Sequence, residues 1–152
     1  MEVHDVQGKK VKVPKNKKIG WRPAVYGVLI ENNKLLVIKP DWDDKYSLPG
    51  GSIELKEDIN EALEREFLEE SGYKIKIKNP NKPYVDASLF GNKKLDLYFQ
   101  RISIYFEVKL TSKKQLKNAD NETVEILWKN IDEIKTTDFT YFQRNFIKKI
   151  LK

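Results

Sequence analysis

Gly51 to Tyr73 reads GSIELKEDINEALEREFLEESGY, and the middle of this stretch has the pattern of a helix. Asp58 followed three residues later by Glu61 forms a capping box, and Gly72 supplies the stop, so the spacing predicts a helix over about Ile59 to Ser71. At about 100° per residue, with Glu66 at zero, Ile59, Leu63 and Phe67 fall near about 20°, 60° and 100° and define a buried stripe. Glu70 falls inside that stripe, Glu66 and Glu69 lie at its edge, and Leu68 sits on the side left to water. An unpaired carboxylate on a core-facing side costs several kcal/mol, and three acids so close repel one another. A divalent cation relieves both problems, and local rules broken together mark a functional site. Glu61 and Glu64 point outward and need no such account, because solvated acids pair with abundant lysines. Glu70 does need one.

Working outward, Ala24 to Ile30 (AVYGVLI) and Lys34 to Lys39 (KLLVIK) are apolar runs around an Glu31-Asn32-Asn33 turn signal, which predicts a hairpin. Pro40 to Tyr46 is a polar loop, and Ser47 to Gly51 (SLPGG) reads as a turn that ends strand character. Tyr73 to Lys78 alternates like a half-buried strand. Tyr84 to Phe90 and Lys94 to Leu110 predict a long hairpin around Gly91-Asn92. Alternation in its second arm changes phase, for which a bulge near Gln100-Arg101 is the expected cause. Val124 to Trp128 is a short strand, and Asp138 to Leu151 a C-terminal helix with Phe142, Phe146, Ile147 and Ile150 on one face. Residues 1–19 are Lys-rich and read as a basic arm or an edge strand. One α/β domain over residues 1–152 is the expectation.

Composition narrows the chemistry. At 152 residues the chain suits one core, and seven Phe, seven Tyr and three Trp drive collapse. There is no Cys and one histidine, His4, which argues against disulfides, thiolate sites, histidine clusters and Ser-His or Cys-His nucleophile systems. Any metal is then held by carboxylates, which favours Mg²⁺ or Mn²⁺. No apolar run reaches the ~20 residues that span a bilayer, and a signal-peptide pattern is missing from the first residues, so cytoplasm is the expected location and no membrane partner is expected. The net charge of +6 suits a polyanionic substrate. Lysines spread along the whole chain also fit an ordinary solvated surface.

Gly51, Glu57, Arg65, Glu66, Glu69, Glu70 and Gly72 stand at the seven fixed positions of a motif that resembles the Nudix box. At average residue frequencies, chance produces this match on the order of once in 10⁶ chains. Phe67 and Tyr73 fill two positions that usually hold bulky aliphatics, a departure that concerns packing more than chemistry. The resemblance implies an α/β/α sandwich with a mixed, partly antiparallel sheet between helices, and Mg²⁺-dependent hydrolysis of phosphoanhydride bonds in nucleotide-like substrates. It implies that Glu66, Glu69 and Glu70 bind one to three Mg²⁺ or Mn²⁺ ions with the Gly50 carbonyl. Arg65 and Glu57 would hold that shell in place. A further acid before a late Trp strand is implied too; Glu122 fits it, Glu125 competes, and a plain loop acid is an equal reading of Glu122. Glu66 and Glu69 are the alternatives for the general base.

Substrate identity lies outside the box. Arg22 and Lys39, at strand ends, are candidate phosphate ligands, as is Gly51 for close backbone approach. Trp42, Tyr46 and Phe90 are candidates to stack a base, though packing is the commoner use of such rings. Gln143 stands roughly where MutT-like enzymes place a purine-reading amide. Leu48-Pro49-Gly50-Gly51 and the compact chain favour a MutT-like nucleoside triphosphate pyrophosphohydrolase. Ser88 and Leu89 occupy the place of a proline common in ADP-ribose hydrolases. The alternatives are an RNA 5′-end pyrophosphohydrolase or dinucleoside polyphosphate hydrolase, with RNA as partner, and a non-catalytic nucleotide sensor on the same fold. Oligomeric state is not legible from the residues.

Overall fold

A computed structural model describes residues 1–116 and 123–151. The predicted helix is present as α1, Ile59–Ser71. Asp58 caps it by accepting the Glu61 N–H at 2.8 Å. Gly72 ends it at φ 77°, where its N–H bonds the Leu68 carbonyl, and a Cβ there would run into the Leu116 carbonyl oxygen. The buried face carries Ala62, Leu63, Phe67 and Ser71. Ile59, the first helical residue, stays 38% exposed, so the apolar stripe starts a turn later than the wheel suggests.

The strands are β1 (Glu2–His4), β2 (Lys10–Lys12), β3 (Gly20–Val28), β4 (Ile30–Glu31), β5 (Lys34–Pro40), β6 (Gly50–Ser52), β7 (Ile75–Ile77), β8 (Tyr84–Asn92), β9 (Leu97–Leu110) and β10 (Thr123–Asn130). One mixed sheet has the order β2-β1-β8-β9-β3-β6, with β7 also on β9; β3 runs parallel to β9 and β1 parallel to β8, whereas β6 is antiparallel to β3 and β8 antiparallel to β9. A second, antiparallel sheet has the order β10-β5-β4. On one side α1 buries Leu63 and Phe67 against Val25, Leu36 and Phe106. On the other, α2 (Arg144–Ile150) and the turns before it bury Phe139, Phe146 and Ile147 against Val28, Val37 and Tyr105. Each such side chain contributes about 1.5–3 kcal/mol on burial. The result is the α/β/α arrangement with a mixed sheet. Phe67 fits because Gly27 leaves room: a Cβ on Gly27 would come within 2.8 Å of its ring. Tyr73 packs edge-on to Trp128 at 5.8 Å. Among the described residues, no helix is long and apolar enough to cross a membrane.

Several local expectations are corrected. The runs around Asn32-Asn33 are not a full hairpin. Only Ile30 and Glu31 pair with Leu35 and Lys34, across two asparagines at φ 50° and 61°, while β3 and β5 belong to different sheets. Both runs are apolar on both faces because each is covered twice, and a doubly covered strand carries no information about its partner. Gly50–Ser52 is strand, not turn: it pairs with Ala24 to Tyr26. The β8–β9 turn comes later than Gly91-Asn92, with the Asn92 side chain accepting the Leu95 N–H and Asp96 at φ 53°. There is no bulge near Gln100-Arg101, since β8 and β9 pair without a shift from Asn92–Leu97 to Tyr84–Tyr105. The phase change arises because β9 is buried on both faces. The C-terminal helix is shorter than predicted: turns at Thr136–Asp138 and Tyr141–Gln143 precede α2, and Tyr46 claims the backbone of Asp138 and Thr140 between them.

The N-terminal segment forms an edge. β1 pairs with β2, and His4 opposite Phe90 attaches it to β8. Beyond β1 the chain reaches Tyr141: the Val6 carbonyl accepts the Tyr141 N–H at 3.2 Å, the His4 and Tyr141 rings lie 5.1 Å apart, and Gly8 leaves the space that Tyr141 fills.

Candidate active site

Arg65 organises the acids of α1. Its Nε and Nη2 fork onto both Glu57 oxygens at 2.7 Å, Nη1 donates to Glu66 at 2.9 Å and to Glu69 at 3.4 Å, and Nη2 also reaches the Ser52 carbonyl at 3.1 Å. Glu57 folds back because its loop is tied by a bond from the Glu54 N–H to its own carboxylate. Glu70 accepts the Gly50 N–H at 3.3 Å. Gly50 sits at φ 150°, and a Cβ there would strike the Val25 carbonyl oxygen; a Cβ on Gly51 would come within 2.7 Å of the Glu66 carboxylate. Both glycines let a strand lie directly against the acids. Glu66, Glu69, Glu70, Gly50 and Gly51 line one cleft of about 830 Å³. Each of the three acids takes a protein donor, and among the described residues no three acidic or histidine side chains converge tightly enough to grip a metal as they stand. The knot is looser than the helix wheel suggests.

The Arg65 guanidinium, with the Glu54 N–H, holds the Glu57 carboxyl down at about 2, against 4.5 for an ordinary glutamate. A depressed carboxylate stabilises the fold fully above its ordinary value, and that contribution fades as pH falls from about 4.5 to about 2. The melting-temperature gap between wild type and Glu57→Gln is therefore expected to be constant above pH 5 and to close in more acid buffer. A gap independent of pH in scanning fluorimetry contradicts the clamp.

Residues 20–150 match the description "NUDIX domain". The chain belongs to the NUDIX family. An ADP-ribose pyrophosphatase of Methanocaldococcus jannaschii is 39% identical over 59 residues, which cover 37% of this chain and 35% of that one. The match thus takes in about a third of that relative's length. A MutT protein from Methanosarcina mazei Go1 superposes with a TM-score of 0.65 at 18% identity, covering 88% of this chain and 95% of the other. A UDP-X diphosphatase superposes at 0.62 with 19% identity, covering 90% of this chain and 63% of that one. These two likenesses concern the fold.

Within the NUDIX fold the outer candidates separate. Arg22 lines the cleft and donates to the Ser52 hydroxyl at 2.9 Å. Lys39 does not line it: β5 turns Ile38 and Pro40 to the cleft and Lys39 to the opposite face, opposite Glu125 on β10. Glu125 is exposed and likewise away from the cleft, whereas Thr123 lines it; Glu122 lies outside the described residues. Gln143 is wholly buried. Its Oε1 accepts the Leu48 N–H at 2.9 Å and its Nε2 donates to Ser47 at 3.1 Å, so its amide braces the segment before Gly50 instead of reading a base. Trp42 and Phe90 line the cleft; Tyr46 packs against Phe139 in the core. Sequence reasoning missed Tyr26, Phe99, Arg101 and Phe142, which also line the cleft. The signal was available for Arg101, a charge alternating with Phe99, Ser103 and Tyr105 on one face of β9.

Proposed function

We propose that the protein is a divalent-metal-dependent pyrophosphohydrolase acting on a nucleoside diphosphate linked to another moiety, with nucleoside triphosphates as the favoured class. One observation carries this reading: three glutamates from one face of α1 share a cleft with a glycine strand that has no side chain to separate them from a ligand. Carboxylate and carbonyl oxygens suit Mg²⁺ or Mn²⁺. Glu66, Glu69, Glu70 and the Gly50 carbonyl would hold the metal, which would supply positive charge to offset that of the phosphates. Arg65 and Glu57 fix the position of Glu66 from behind. Glu69 is the better proton acceptor for the attacking water: its bond to Arg65 is the longer one and its side chain is 42% exposed, against 16% for Glu66. Arg22, at the cleft wall, orients phosphate oxygens. No protein nucleophile is required. The ADP-ribose and UDP-linked compounds named for two relatives share the nucleoside diphosphate core of this substrate class.

The test is hydrolysis of a panel of nucleoside triphosphates, nucleotide sugars and dinucleoside polyphosphates with Mg²⁺ and Mn²⁺, with products read by phosphorus NMR in oxygen-18 water. Metal-dependent incorporation of the label into one phosphate product is expected. No turnover of any compound with either metal overturns the reading.

A further inference from the structure

Arg101 is the group in the cleft that the glutamates do not account for. It is 7% exposed, and its Nη1 donates to the Tyr26 hydroxyl at 2.8 Å. Among the described residues its buried Nε–H has no acceptor and the guanidinium makes no ion pair. The Phe142 ring covers it at 3.8 Å, with Phe90 and Phe99 at 5.1 and 5.6 Å. Such rings offset part of the cost of desolvating the cation, yet they offer nothing to the N–H edge.

Its neighbour sharpens the point. In the parallel register of β3 and β9, Arg22 stands directly opposite Arg101, and both line the cleft. Like charges side by side on adjacent strands are destabilising. Asp86, the acid that β8 brings nearest in register, lies opposite Ser103 and makes no ion pair with Arg101. Tyr26 joins this cationic end to the acidic one: it lies opposite Gly50, whose N–H bonds Glu70, while its hydroxyl receives Arg101.

We propose that Arg101, together with Arg22, holds the terminal phosphoryl group of a nucleoside triphosphate, beyond the diphosphate served by the glutamates. The inference rests on the hydrolase reading and deepens it. A guanidinium fork matches phosphoryl oxygens, and a doubly charged end group removes the repulsion between the two arginines. A diphosphate-linked sugar offers neutral hydroxyls at that place and gains nothing comparable.

Two measurements test it. The ratio of kcat/KM for a nucleoside triphosphate over a nucleoside diphosphate sugar is expected to fall about 10–100-fold in Arg101→Met, the range lost with hydrogen bonds to charged groups. Arg101→Lys should recover part of it. Separately, calorimetry with inorganic tripolyphosphate in EDTA reads the anion site without turnover, and Arg101→Met and Arg22→Met should each weaken binding at least about tenfold. An unchanged ratio with unchanged tripolyphosphate affinity overturns the proposal. Should Arg101→Met fail to fold, Arg101→Lys and Arg22→Met decide by the same two readouts. A wild type that binds tripolyphosphate but hydrolyses nothing sinks the hydrolase reading and leaves the anion site standing.

Discussion

Glu70→Gln is expected to lower turnover by about 10²–10³-fold, the usual cost of losing a main charge-stabilising group. Its carboxylate is one of three on the same helix face and the one tied to the glycine strand, through the Gly50 N–H. A glutamine keeps the size of the side chain and an oxygen that can accept that N–H. The fold should therefore survive, with circular dichroism and melting temperature close to wild type. What is lost is a negative oxygen at the place proposed for the cation. Steady-state kinetics across a magnesium titration reads this directly, and near-normal turnover at saturating metal contradicts the assignment of Glu70 as a metal ligand.

The second large effect is expected at Arg65. Removing it as Arg65→Met leaves Glu57 and Glu66 without the shared guanidinium that now lies within 2.9 Å of both, and leaves the Ser52 carbonyl without its donor. Groups that orient metal ligands typically contribute 10–100-fold, so a fall of about that size in kcat, with a higher metal requirement, is expected. Arg65→Lys should rescue little, because an ammonium cannot fork onto Glu57 while also reaching Glu66. Full rescue by lysine, measured as kcat and apparent metal affinity, shows that simple positive charge is enough.

The helix and its acids were legible because they are local. A capping residue, a terminal glycine and a 3.6-residue repeat are complete statements within one helix and the residue on either side of it, and Glu70 is conspicuous on that wheel without any partner being known. Pairing was less legible. The apolar runs at Ala24 and Lys34 are next to each other in the chain and read as one hairpin, yet they enter different sheets because a strand covered on both faces looks the same whatever lies beside it. Arg101 was legible only in part: its alternation with Phe99, Ser103 and Tyr105 sets it on one face of β9, but which face meets the cleft depends on the pairing with β3. Gln143 and Lys39 went astray in opposite ways. One is buried by a helix start that comes later than the apolar pattern suggests, and the other is turned away by strict alternation along β5.

Val6 lines the cleft and its carbonyl holds Tyr141, whereas the family match begins at residue 20. The matched domain and the lining of the cleft therefore have different borders. A protein trimmed to its recognisable portion would keep every acid of α1 but lose Val6 and its hold on Tyr141, so selectivity measured on such a fragment would describe a differently bounded enclosure from the one this chain makes.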